Sequence, residues 1–284
     1  MHSFGYATRA LALSLTLALV PLTGCSRQPT STAPSARADA ARSAHPDFSG
    51  VWLAYASSAP GTTAAAGPQY SATGQAKVEQ FYAQFTEVPD PGSYCVGTGM
   101  PGVMLSIAGY PIEIIQSADR ITLLAELEMQ LRRVYLDGRG HPSDFPATGV
   151  GHSIGRWDGD TLVIDTALLK DWQARPWPRT ERTRIEERLY LTKESAVNVT
   201  PSAFITEKPL SDDVLVDELT VTDARLYAEP QKRTMYYRKV VDTATLEYDC
   251  PIDLWLKALE KNRVSPRRAR GEPRRARHEA RASG

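Results

Sequence analysis

The sequence predicts a mainly β protein, an antiparallel β-barrel or strongly curved sheet with one or two short helices. Three observations carry that expectation. About ten short runs rich in β-branched and aromatic residues follow one another at hairpin spacing. Asp-Gly, a strong hairpin signal, stands twice between such runs. Only one segment has the length and spacing of a convincing long helix. Many short, evenly spaced strands are the signature of a closed or nearly closed antiparallel sheet.

The elements follow in chain order. Asp47-Phe48-Ser49-Gly50-Val51-Trp52-Leu53 opens the fold as a short strand. Beyond a loop of Gly, Ala and Pro, the residues Ala76, Val78, Phe81, Tyr82 and Phe85 share one face of a helix over 73–85. A Gly- and Pro-dense loop covers 94–104. Strands are then expected over 112–116, 121–128, 129–136, 151–157, 161–166, 182–191, 196–205, 215–221, 234–240 and 245–248. Asp137-Gly138 and Asp158-Gly159 supply two of the turns, and 253–262 is a candidate capping helix. The β domain therefore spans 47–256.

Its flanks have other roles. Residues 1–24 read as an export signal, with Arg9 ahead of an apolar run, 10–20, that is too short to span a bilayer. Leu22-Thr23-Gly24-Cys25 resembles the bacterial lipobox. The resemblance implies cleavage before Cys25 and lipid on its sulfur. Two or three acyl chains, at about 0.8 kcal/mol per buried methylene, make such an anchor permanent. Ser26 stands where inner-membrane retention signals resemble Asp, which implies the outer membrane, facing the periplasm. Residues 25–46 are a Ser-, Ala- and Pro-rich tether that cannot bury enough apolar area to fold.

From 257 to 284 basic residues outnumber acids ten to three. That composition reads as a solvated tail, or alternatively as a contact with anionic lipid or polysaccharide. The whole chain has a formal net charge of +0, so specific nucleic-acid binding is not expected. With Cys25 committed to lipid, Cys95 and Cys250 are left, and in an oxidising compartment two spare cysteines usually pair. A Cys95–Cys250 disulfide would stabilise by roughly 3–5 kcal/mol. Two free thiols or metal ligands are the alternative.

Three segments together resemble a family of secreted or lipid-anchored bacterial proteins. They are Tyr110-Pro111-Ile112-Glu113-Ile114-Ile115-Gln116, the run Leu131-Arg132-Arg133-Val134-Tyr135-Leu136-Asp137-Gly138-Arg139-Gly140-His141-Pro142, and residues 151–166, which open Gly151-His152-Ser153-Ile154-Gly155-Arg156-Trp157-Asp158-Gly159. Members also carry Cys and Pro matching Cys95 and Pro101, and a bulky residue where this chain has Val150. The resemblance implies no particular activity. Separately, Gly50-Val51-Trp52 is similar to the Gly-x-Trp of a first lipocalin strand, which implies a lipocalin-like (calycin-like) barrel. There the tryptophan packs under an arginine of the last strand, and Arg238 is the expected partner.

Two histidines lie within the β domain, His141 and His152, near the acids Glu126, Glu128, Asp137, Asp165, Glu186 and Glu187. Two imidazoles and a carboxylate, with Asp165 or Glu187 as partner, can perform acid–base chemistry or hold a divalent metal. No specific catalytic or metal-binding spacing accompanies them, so a structural role is the competing reading. Arg132 and Arg133 are neighbours on a strand and point to opposite faces. An inward arginine needs a counter-ion, for which Glu113 or Glu128 is expected; read functionally, Arg132 or Arg156 would bind an anion, with Tyr135 and Trp157 beside them. The loop 172–178, with Trp172 and Trp177, is a candidate cover for the barrel mouth. The functional expectation is a lipid-anchored envelope protein that binds a small apolar or amphipathic molecule. The alternative is a hydrolase, lyase or isomerase using His141 and His152, with or without the help of a metal. A pure envelope scaffold is a third reading.

Overall fold

Buried side chains alternate with more exposed ones along several extended segments, as expected of strands with one wet face, while others, such as 52–56 and 214–217, are buried on both faces. In the computed structural model, which describes residues 45–58, 67–87, 96–106, 109–203, 205–240, 245–248 and 253–263, these segments close into a barrel. They are β1 (Gly50–Ser58), β2 (Ile112–Gln116), β3 (Arg120–Ala125), β4 (Gln130–Tyr135), β5 (His152–Asp158), β6 (Thr161–Ala167), β7 (Arg184–Lys193), β8 (Pro209–Thr222) and β9 (Gln231–Val240). Each strand pairs with the next, and β9 returns to β1 with Trp52 opposite Lys239.

A closed ring with an odd number of strands cannot pair antiparallel throughout. The parallel pair is β4–β5, with Val134 opposite Ser153. Parallel neighbours need a crossover, so residues 136–151 travel back along the barrel wall. Asp137-Gly138 is therefore not the hairpin its sequence announces, whereas Asp158-Gly159 is, with Gly159 at φ +62° between β5 and β6.

Two other expected strands are absent. After a 3₁₀ turn at Glu194–Ala196, the segment to Ile205 lies irregularly over the outer wall. Pro201 interrupts any ladder there, Ser202 N–H donates to the Tyr55 carbonyl at 2.7 Å, and Val197, Val199 and Ile205 pack against Leu53, Tyr55, Val214 and Val216. Residues 245–248 likewise attach through side chains, with Thr245 Oγ1 donating to Glu113 and the Leu246 N–H to Glu126. The helix α1 (Ala72–Tyr82) is capped by Ser71, whose hydroxyl accepts from the Gly74 N–H. The second helix, α2, is Asp253–Asn262.

Side chains fill the barrel. Ile112, Ile114, Ile121, Leu123, Val134, Leu162, Ile164, Leu189, Leu215 and Met235 form one continuous core. At one end Trp52 is buried, its indole N–H donating to the Phe48 carbonyl at 2.7 Å, and Phe48 and His45 pack on Trp157. The lipocalin-like expectation for Arg238 fails on register. Arg238 sits opposite Leu53 on the outer face, over the Tyr55 ring and paired with Glu194, and Lys239 lies over Trp52 instead.

The other end is stoppered by residues 98–105, with Met100, Val103 and Met104 in the core. Gly99, at φ +67°, makes this plug possible, because a Cβ there would lie 2.1 Å from the Gly149 carbonyl oxygen. Arg179 ties the plug down by donating to the carbonyls of Met100, Thr98 and Lys170. Burial lowers its guanidinium to about 10, so it stays charged at neutral pH. Trp177 is buried against Tyr227, and Trp172 pairs with Arg179, so the 172–178 loop packs on the barrel and does not offer exposed tryptophans.

Candidate functional site

Strand alternation divides the candidate residues between two sites on opposite faces of one wall. On β5, Ser153 points in and His152 out; on β6, Thr166 points in and Asp165 out; on β7, Glu187 points in and Glu186 out.

Inside, Arg132 (1% exposed) meets Glu187 (0%) in a two-pronged ion pair. Nη1 donates to Oε1 at 2.8 Å and Nη2 to Oε2. Nη2 also reaches Thr166 Oγ1 at 2.9 Å and Nε reaches Ser153 Oγ at 3.1 Å, while the two hydroxyls are 2.8 Å apart. Burial opposes the guanidinium charge, but Glu187 overcomes this and raises Arg132 above its ordinary value. The expected counter-ions are corrected: Glu113 bonds Thr245, and Glu128 accepts from the Thr98 N–H and Gln130.

Asp217 of β8 completes the interior group. It is fully buried, neither oxygen has a hydrogen-bond partner among the described residues, and its carboxyl lies close enough to Glu187 for their charges to couple. Burial, and then the Glu187 charge, push it well above the ordinary carboxylate range, with Arg132 opposing. It is held neutral as a result. Tyr237 donates to the Met104 carbonyl at 2.5 Å, which links this layer to the plug. Arg132 is thus half of a buried ion pair within the packed core. Glu187 cannot serve the histidines, which lie across the wall.

Outside, the crossover brings His141 onto His152. Their Nδ1 atoms are 2.9 Å apart, and His141 Nε2 lies 3.4 Å from Asp165 Oδ2, an ion-pair distance without hydrogen-bond alignment. His152 is 4% exposed, stacked on Tyr135 and met edge-on by Phe145. Burial, followed by His141 and Arg139, lowers its affinity for a proton. One of the two facing nitrogens must carry the shared proton. A carboxylate at His141 Nε2 favours a proton there, which leaves His141 Nδ1 to accept from His152.

Next to this row is a recess of about 380 Å³ on the outer face of β5–β7. Ile154 and Val163 give it apolar wall, Arg156, Asp165 and Glu186 give it charge, and Gly138 and Arg139 of the crossover form one side. Arg139 is engaged by Asp137 and lies 4.0 Å over the Tyr135 ring. Arg156 makes no ion pair or hydrogen bond among the described residues. Of the expected ligand contacts, Arg156 borders the recess, Tyr135 buttresses His152, and Trp157 closes the barrel end. Among the described residues no three His, Cys, Asp or Glu side chains are placed to hold a metal. Cys25, Cys95 and Cys250 lie outside the described residues.

Asp217, Ser153, Thr166 and Tyr237 were not among the expected residues. A signal for Asp217 exists in the sequence: it shares parity with Leu215, Leu219 and Val221, all inward-facing. Asp165 borders the recess, with His141 next to it on the crossover side. A scan against protein-family models finds no match, and no curated protein matches the chain.

Proposed function

We propose that this chain is a lipid-anchored protein of the cell envelope that binds a small amphipathic anion in the outer-wall recess of β5–β7. The observation that carries the reading is a recess with apolar wall from Ile154 and Val163, bordered by the Arg156 guanidinium, which makes no ion pair among the described residues, and on its other side by Asp165 and Glu186. A cation in that position is available to a carboxylate, sulfonate or phosphate, while Ile154 and Val163 take an apolar body. The packed interior directs the reading to the wall, away from the lumen a lipocalin-like ligand would occupy. The anchor rests on the lipobox-like Cys25, and labelling with a palmitate analogue should mark the chain and not its Cys25→Ser variant.

The protein lacking residues 1–25, titrated with an anilinonaphthalene sulfonate, should show saturable fluorescence. Arg156→Ala should weaken binding about tenfold, the loss of one charged hydrogen bond. A flat titration, or equal affinity in wild type and Arg156→Ala, would remove the reading.

One observation favours a second reading, acid–base catalysis. The row Asp165–His141–His152 presents a carboxylate at the recess with an imidazole behind it to take up or return a proton. Turnover of an activated ester should fall at least a hundredfold in His141→Asn, within the range of a general acid–base contribution. An unchanged rate would exclude that chemistry.

A further inference from the structure

The crossover is held to the wall in an unusual way. Its two ends are tied by backbone, Leu136 N–H to Asp119 O at 2.8 Å and Thr148 N–H to Leu168 O at 3.2 Å. Between them, apart from a turn at 143–144, residues 137–147 make no backbone–backbone hydrogen bond to another described residue. What holds the middle is side chains. His141 and Phe145 rest on His152, His141 approaches Asp165, and Arg139 lies over Tyr135. His152 is the hub, and the same segment supplies the Gly138 and Arg139 side of the recess.

We propose that residues 136–151 form a proton-operated strap over the recess, closed while the His141–His152 pair shares its proton and lifted when both rings are charged. The inference rests on the recess being the binding site and adds its regulation. A neutral pair is joined by one N–H···N bond. One added proton is tolerated, because Asp165 on β6 faces His141 Nε2. A second would put two cations 2.9 Å apart, with the Arg139 cation also near His152. The other charged groups facing the pair do not cancel this: Asp137 is spent on Arg139, and Glu186 on β7 lies beyond Asp165. Tyr135 and Phe145 offer only ring faces and edges.

The sign follows. The closed strap binds fewer protons than free imidazoles, so closure is favoured above the ordinary histidine range near 6.5 and lost as pH falls through it. Lifting removes one side of the recess and releases its occupant.

Hydrogen exchange of the amides bonded at the two ends of the strap, those of Leu136, Thr148, Gly151 and Lys170, measured on the full-length chain at pH 7.5 and 5.5 and scaled for the intrinsic pH dependence, tests this directly. Protection should fall at least tenfold at pH 5.5. In His152→Phe, which keeps an aromatic ring against Tyr135 and Phe145 but cannot be charged, protection should be equal at both values. If that variant exposes the segment at both values, His141→Gln decides, since burial and Arg139 alone still disfavour a charged His152 but the second cation beside it is gone, so the pH response should shrink well below that of wild type. Equal protection of the wild-type segment at the two values, or a full response in His141→Gln, would overturn the strap. Exchange needs no ligand, so a strap that does not move and a recess that binds nothing are distinguishable results.

Discussion

Glu187→Ala is expected to cost about 3–5 kcal/mol of stability, the largest single effect in the molecule. The cost is not the worth of the ion pair. It comes from stranding the Arg132 guanidinium at 1% exposure, with only the Ser153 and Thr166 hydroxyls bonded to it and no ion-pair partner in contact. In thermal unfolding at pH 7 this is a fall in Tm of roughly 10 °C for a domain of this size. Replacing both partners, Arg132→Met with Glu187→Leu, should recover most of the loss, because no buried charge is then left unpaired. A Glu187→Ala loss under 1 kcal/mol would mean that water reaches this layer.

Asp217→Asn is expected to stabilise the protein, and more so as pH rises. An aspartate exposed in the unfolded chain loses its proton near pH 4, whereas the folded protein keeps the Asp217 proton well above that range. The folded state binds the extra proton, so this group's contribution is fully present below about pH 4 and declines as pH rises toward the folded value. Asparagine keeps the shape and removes the titration. The variant should match wild type near pH 4 and exceed it at pH 8 by an amount on the order of 1–3 kcal/mol, the scale of an ill-satisfied buried polar group. A difference that stays the same across that range would show that Asp217 titrates like an exposed aspartate.

Both predictions concern residues whose inward parity is visible in the sequence. Glu187 alternates with Ile185 and Leu189, and Asp217 with Leu215 and Leu219. What parity cannot supply is which inward groups meet. Arg132 and Glu187 are on non-adjacent strands, and the curvature of the wall across β5 and β6 brings them together. Glu113 and Glu128, the counter-ions expected from nearby segments of sequence, are therefore replaced by Glu187. The histidines were legible as a pair because His141 and His152 flank one connection, but the face they occupy depends on that connection being a crossover. Had Asp137-Gly138 made a hairpin, His141 would not lie back along the wall.

The sequence by itself determined the class of fold, the order of most strands, both helices and the residue types available for chemistry. Those are properties of local periodicity and turn residues, which act over a few positions of chain. Only the tertiary structure decided the strand count, the parallel β4–β5 pair, the filling of the lumen and the separation of Glu187 from His152. Those follow from closure of the ring, which imposes one global constraint on strand direction and one on interior volume. Neither is felt by any short segment, so neither leaves a mark in the pattern of that segment.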